Sequence, residues 1–128
     1  MEFDLENYLM YGLLAVAVLS FFTIVKRNMT VEKYKKMSEK YPKFADIRIK
    51  TAEILESYGI LEDAEIEYMD VLKLYPGHLD ARMKLSSLYI KMKKKELAKQ
   101  QLKEIIERCD EKKRYYHIAV ERLYKIEN

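Results

Sequence analysis

Tyr41-Pro42-Lys43-Phe44-Ala45-Asp46-Ile47-Arg48-Ile49-Lys50 is answered further along the chain by Tyr75-Pro76-Gly77-His78-Leu79-Asp80-Ala81-Arg82-Met83-Lys84. Tyr, Pro, Asp, Arg and Lys recur in place, each 34 residues on, and Ala64 recurs as Ala98 at the same offset. A fixed period of this length marks a stacked helix–turn–helix solenoid.

Two amphipathic helices account for the first copy. Ile47, Thr51, Ile54, Leu55 and Tyr58 fall on one face of the first. Ala64, Tyr68, Val71, Leu72 and Tyr75 fall on one face of the second, a helical stripe rather than strand alternation. Gly59 is expected to end the first helix, because glycine enters the left-handed cap conformation without a Cβ penalty. Pro76, with no amide proton, is expected to end the second. Ala64 and Ala98 are small where two helix axes must cross at about 8–10 Å.

These residues resemble the tetratricopeptide repeat (TPR) family. Its pattern asks for small residues at a helix crossing, large apolar residues around them and a closing proline. The first copy supplies Ala52, Leu55, Gly59, Ala64, Tyr68, Val71 and Pro76; the second supplies Leu85, Ser86, Tyr89, Ala98, Leu102 and Ile105. The pattern departs at Arg48 and Arg82, where the family often has tryptophan, and at Thr51, which replaces a leucine. Lys93 replaces the turn glycine and Asp110 the closing proline. The resemblance covers residues 45–110, about half the chain.

Outward toward the amino terminus the character changes. Residues 1–7 carry Glu2, Asp4 and Glu6 and no Lys or Arg, and Tyr8 to Val25 is uncharged and mostly apolar. As a helix that run spans about 27 Å, enough for a bilayer core. Tyr8 and Tyr11 suit one interfacial belt; Lys26 and Arg27 can snorkel at the other. A cleaved signal peptide would need a basic start and a small-residue cleavage site, and a core helix would be amphipathic. We therefore expect a retained single-pass anchor. All 24 Lys and Arg follow residue 25, against 18 of the 21 Asp and Glu, leaving that part at +6. The basic excess puts the amino terminus outside and the repeats in the cytoplasm. The expected organisation is residues 1–27 as tail and anchor and 28–128 as an all-α, TPR-like domain of about two full repeats plus flanking half-repeats.

The flanks supply the halves. From Thr30 to Tyr41 a helix carries Val31, Tyr34, Met37, Ser38 and Tyr41 on one face, and Tyr34 lies 34 residues before Tyr68. It reads as the second half of a repeat, and the anchor is placed to run nearly straight into it. From Lys113 to Ile126 a closing helix carries Tyr116, Ala119, Val120 and Leu123. Half, whole, whole, half makes about the three repeats a stable stack needs.

No catalytic, cofactor or metal set stands out, and an enzyme is not expected. Cys109 is alone and continues the stripe of Leu102, Ile105 and Ile106, so it reads as a small hydrophobe. His78 reads as a solvated loop residue. His117 and Glu121 are one turn apart, but two ligands do not make a zinc site. The three glycines, at 12, 59 and 77, form no phosphate loop. Glu62, Asp63, Glu65 and Glu67 complement a helix dipole. Lys91, Lys93, Lys94 and Lys95 fall in a turn, as a solvated loop or as a contact with an anionic membrane or acidic partner. Nucleic acid is not expected, since no aromatic platform accompanies that run.

The resemblance also implies a site. In the family the first helices of successive repeats line a concave groove, and the 34-residue offset assigns its rows. Ile49, Met83 and His117 form one, Lys50, Lys84 and Ile118 the next, and Glu53, Ser87 and Glu121 a third. A partly apolar row beside two lysines suits a peptide or helix segment carrying apolar side chains and a carboxylate. Chaperone-tail-binding members use lysines, asparagines and an arginine here; this chain has no asparagine in these rows, so that ligand is not carried over. The expected function is a membrane-anchored adaptor or scaffold that binds another protein and helps assemble or position a membrane-associated complex. The alternative is a receptor for a targeting peptide or tail segment. The layout is similar to that of anchored family members among bacterial inner-membrane assembly factors and mitochondrial import receptors. Membrane lipid, met through residues 8–25, is the other expected partner.

Overall fold

The computed structural model describes residues 4–128 as six helices joined by short turns. They are α1 (Leu5–Lys40), α2 (Ala45–Ser57), α3 (Leu61–Leu74), α4 (Leu79–Lys91), α5 (Lys95–Arg108) and α6 (Arg114–Glu127). Glu2 of the acidic tail lies outside the described residues.

Two stop signals alternate along the chain. α1 and α3 end just before prolines, where Tyr41 N–H donates to Met37 O (3.0 Å) and Tyr75 N–H to Val71 O (2.8 Å). α2 and α4 end in left-handed caps. At the first, Gly59 has φ 75°, and Ile60 N–H reaches back to Leu55 O at 2.9 Å. At the second, Lys93 holds φ 59°, and Lys94 N–H reaches Tyr89 O at 2.9 Å. The same closure thus forms with or without the glycine.

The helices form two layers. α1, α3 and α5 make one: Lys35 pairs with Asp63, Ser38 Oγ donates to Glu67 Oε1 (3.3 Å), and Lys94, at the start of α5, pairs with Glu65 (3.0 Å). α2, α4 and α6 make the other, tied by Lys84 to Glu53 (2.6 Å) and Tyr115 to Asp80 (3.3 Å). The core lies between the layers. Its larger part gathers Ala52, Leu55, Tyr68, Val71, Leu85 and Leu88; Leu102, Ile105 and Ala119 make a second part under α6. Ala64 and Ala98 have no exposed surface, as their place at the helix crossings requires.

The apolar segment runs straight into Thr30–Tyr41, as expected: α1 is a single element of 36 residues, about 54 Å long at 1.5 Å per residue, and residues 27 and 28 both lie within it. Two sequence expectations shift. The buried face of α6 is rotated from the expected one, running through Tyr115, Ile118, Ala119, Leu123 and Ile126. Val120 is 42% exposed, because α5 offers apolar contact on that face of α6 and nothing covers the other. Second, His78 is half-buried rather than solvated: it is the N-cap of α4, and its Nδ1 accepts from Ala81 N–H at 3.1 Å.

The first half of α1 is an exposed apolar rod. It is long and apolar enough to cross a membrane, and none of its apolar window is buried against the molecule. Tyr8 and Tyr11 lie toward its start, and Lys26 and Arg27 at its far end, all exposed. Its second half packs on α2 and α3: Thr51 Oγ1 donates to Tyr34 O at 3.2 Å, and Val31 joins Ile60 against the core.

Candidate functional site

The layer of α2, α4 and α6 carries all nine groove positions, and the structure separates them. Ile49 and Met83 are only 8% and 7% exposed; they belong to the core and offer a ligand almost no apolar surface. The reason is their place in the core: Ile49 joins the part that holds Ala52, Leu55 and Leu85, and Met83 the part that holds Leu102, Ile105 and Ala119. Lys50, His117 and Glu121 are exposed, and Glu53, Lys84 and Ser87 half-exposed.

These polar side chains join into a ladder. Lys50 lies 3.8 Å from Glu53, whose other oxygen accepts from Lys84 Nζ at 2.6 Å. Lys84 also sits 4.0 Å from Asp80, which accepts from the Tyr115 hydroxyl at 3.3 Å. The chain of contacts thus crosses from α2 through α4 to α6. One turn further along α4, Arg122 Nη1 donates to Ser87 Oγ at 2.6 Å. His117 stacks edge-on against Tyr116 (5.7 Å) and Glu121 pairs with Lys125 (2.6 Å), so the two share no third metal ligand among the described residues.

The electrostatics follow. The hydrogen bond it donates to Glu53 holds the Lys84 ammonium above its ordinary value, with Asp80 assisting against a desolvation cost. Burial beside Asp80 pushes the Tyr115 hydroxyl up. Lys84 is thus committed to two acids of its own chain. Lys50, with a side chain 55% exposed, is the lysine of the pair open to a ligand carboxylate.

Sequence reasoning missed what the repeated arginines do. Arg48 donates through Nε to Pro42 O (3.0 Å) and through Nη1 to Glu67 and Asp70, both at 3.1 Å. One period later Arg82 donates to Pro76 O (2.9 Å) and to Gln101 (2.8 Å). Each arginine ties the proline turn before it to the second helix of its own repeat, where the family more often packs a tryptophan. The recurrence of Pro, Arg and a polar partner at the 34-residue offset was the available signal. Burial lowers the Arg82 guanidinium from its ordinary value, and its Nε is buried with no partner among the described residues. Three of the acids read as dipole complements serve the same end. Asp63, Glu65 and Glu67 bond to Lys35, Lys94 and Arg48 across helix boundaries.

A further cleft opens on the edge where α1 meets α2 and α3 meets α4. About 900 Å³ in volume, it is lined by Phe44, Leu74, Tyr75 and His78 among others. Phe44 is 61% exposed there.

No protein-family model and no curated protein matches the sequence. Solved structures do match the fold. A tetratricopeptide repeat protein from Parabacteroides merdae superposes with TM-score 0.67 at 24% identity, over 80% of this chain but only 40% of its own length. The first TPR of Spaghetti (RPAP3), bound to the HSP90 peptide SRMEEVD, superposes with TM-score 0.65 at 18% identity, over 84% of this chain and 82% of that one. The TPR2B domain of yeast Sti1, in complex with an Hsp70-derived partner, superposes with TM-score 0.64 at 17% identity, over 84% and 88%. The helices of this chain thus take the TPR-like fold, with a long apolar helix at the amino terminus.

Proposed function

We propose that the chain is a single-pass, membrane-anchored TPR-like adaptor, with its amino terminus outside and its repeats in the cytoplasm. It binds a protein segment and helps assemble or position a membrane-associated complex. The observation that carries this reading is α1: one unbroken helix whose first half is apolar and unburied and whose second half is the first helix of the solenoid. An adaptor needs its binding layer held at the membrane, and this helix holds it without a linker.

Binding through the α2, α4 and α6 layer is supported by shape and chemistry. A solenoid offers an extended surface, and here it carries alternating charges that suit a hydrogen-bonding peptide or helix segment. The Spaghetti domain is bound to its HSP90 peptide, and the Sti1 domain is in its pHsp70 complex, with a similar fold. A partner carboxylate would meet Lys50 rather than the already paired Lys84.

The test is crosslinking and recovery of partners from native membranes with the full chain. Lys50→Glu should lose the partner with little change in melting temperature, because an exposed pair at 3.8 Å contributes little to stability. Lys84→Glu is the poorer probe, since it would set a third acid beside Glu53 and Asp80. Equal recovery by Lys50→Glu and the parent would move binding off this layer. Protease added to sealed right-side-out vesicles should leave residues 44–128 intact; digestion there would reverse the topology.

A further inference from the structure

The geometry points to a second membrane contact: the edge formed by the α4–α5 turn and the end of α6 docks on anionic lipid headgroups of the bilayer that α1 is proposed to span. This rests on the anchor reading above and extends it from one helix to one edge of the solenoid.

Direction comes first. α1 leaves the apolar segment after Val25 and runs to Lys40 without a break. Consecutive helices are antiparallel, so α2 returns toward the apolar segment, α3 leaves, α4 returns, α5 leaves and α6 returns. The turns after α2 and α4 and the end of α6 therefore share the anchor end of the molecule. Contacts bear this out. Ile60, in the α2–α3 turn, lines a cleft with Asn28 and Val31 of α1. Val31 is about 9 Å along the helix from Val25. The α4–α5 turn is tied to that level, Lys91 to Glu56 (2.6 Å) and Lys94 to Glu65 (3.0 Å). Ile126 of α6 packs against both parts of the core.

Charge comes second. On this edge the side chains of Lys93 and Lys95 are exposed and bond to nothing among the described residues, and the same holds for those of Lys26, Arg27 and Lys33 on the adjacent stretch of α1. The acids nearby are mostly tied: Glu56 to Lys91, Glu65 to Lys94, Glu96 to Lys99 and Glu121 to Lys125. Glu62 and Glu127 are not. The uncompensated charge of the edge is therefore positive.

Shape comes third. Lys93, Lys95, Arg122 and Lys125 rim a cleft of about 610 Å³ whose apolar lining comes from Ile90 and Ile126. Ile90 is 44% exposed there. A basic rim over an apolar floor fits the headgroup and upper acyl region of an anionic lipid. An acidic protein would need the rim but not the floor, and would not explain why the cleft opens on the anchor end.

The test uses the full chain with Cys109→Ser and Leu97→Cys, labelled at the new thiol with an environment-sensitive fluorophore. It is reconstituted in phosphatidylcholine vesicles with or without phosphatidylserine, each containing a headgroup-level quencher lipid. The label should be quenched only with phosphatidylserine, and salt should reverse it. Lys93→Gln with Lys95→Gln should lower the ratio of docked to undocked chain by roughly fivefold per lysine. Should that pair disturb the turn, Lys93→Gly with Lys95→Ala removes the same charges while relaxing the backbone. Alkaline extraction serves as the control on the anchor. A chain stripped by alkali overturns the anchor and the docked edge together. A chain that resists alkali but shows no response to phosphatidylserine overturns the docked edge alone. Lysine variants that lose a protein partner while the lipid response is absent would assign the edge to an acidic protein instead.

Discussion

At the residue scale the fold is held by polar ties whose strength depends on how far they are withdrawn from water. Arg48 and Glu67 show it. Both side chains are about 15% exposed, and Arg48 divides its donors between Glu67, Asp70 and the Pro42 carbonyl. Glu67 nevertheless sits above the usual carboxyl value, with burial the largest cause and Arg48 and Ser38 only partly opposing it. A raised value in the folded state means that the fold favours the protonated form. The stability this contributes is fully present below the ordinary 4.5 and is lost as pH rises through the folded-state value. Glu67→Gln keeps an acceptor for Arg48 without the buried charge, so its melting temperature should gain on the parent between about pH 4 and about pH 7. Thermal melts of both proteins at the two pH values decide it; a constant difference would show that Arg48 fully compensates the burial. The alanines make the matching apolar case. Ala64 and Ala98 have no exposed surface, and Leu at either should overpack the crossing and cost about 1–3 kcal/mol, read as a lower melting midpoint.

At the element scale the helix ends explain which parts of the architecture were legible in sequence. Pro42, Pro76 and Gly59 act where they stand in the chain, so they could be read directly. The burial of Ile49 and Met83 could not. It depends on which residues of the other helices join them in the core, which no local pattern records. The face of α6 failed for a related reason: an amphipathic helix with apolar residues at 115, 116, 118, 119, 120 and 123 offers two overlapping stripes, and its packing on α5 and α4 selects between them. His78 was missed because histidine is an uncommon N-cap, so its role shows only in the bond from Ala81. The period itself carried the fold, and it also sets up a clean comparison between the two caps. Lys93 adopts φ 59° where Gly59 one repeat earlier adopts φ 75°. A side chain in the left-handed region costs about 1–2 kcal/mol, partly offset because glycine is the more flexible unfolded residue. Lys93→Gly should therefore stabilise by about 0.5–1 kcal/mol. Gly59→Ala should destabilise by about 1–2 kcal/mol through conformation alone, since an added Cβ there meets nothing within 4 Å. Chemical denaturation midpoints for the two variants would test both signs. Should Lys93→Gly also weaken lipid docking, the strained lysine is there for its charge.

At the scale of the whole molecule, α1 makes anchor and solenoid one body. A flexible linker would let the binding layer sample every orientation above a membrane. A continuous helix gives it one azimuth, because Val31, Tyr34, Lys35 and Ser38 fix the repeats to particular sides of the same helix that carries the apolar segment. The consequence is periodic. Residues added between Lys26 and Asn28 rotate the domain about the anchor by about 100° each and lift it by about 1.5 Å each. Two added alanines would turn the layer of α2, α4 and α6 to nearly the opposite side, about 200° away. Four would bring it back to within about 40°, with a lift of about 6 Å. Neither insertion touches the core or the charge ladder, so circular dichroism and the melting midpoint should match the parent. Partner recovery from membranes should fall with two alanines and return in large part with four, whereas fluorophore quenching by phosphatidylserine vesicles, which looks the same from every azimuth, should follow the lift alone. A steady decline with inserted length would mean that distance from the membrane matters and azimuth does not. Indifference to both insertions would mean that the helix bends freely between Val25 and Val31, and that the solenoid is tethered to the membrane rather than aimed by it.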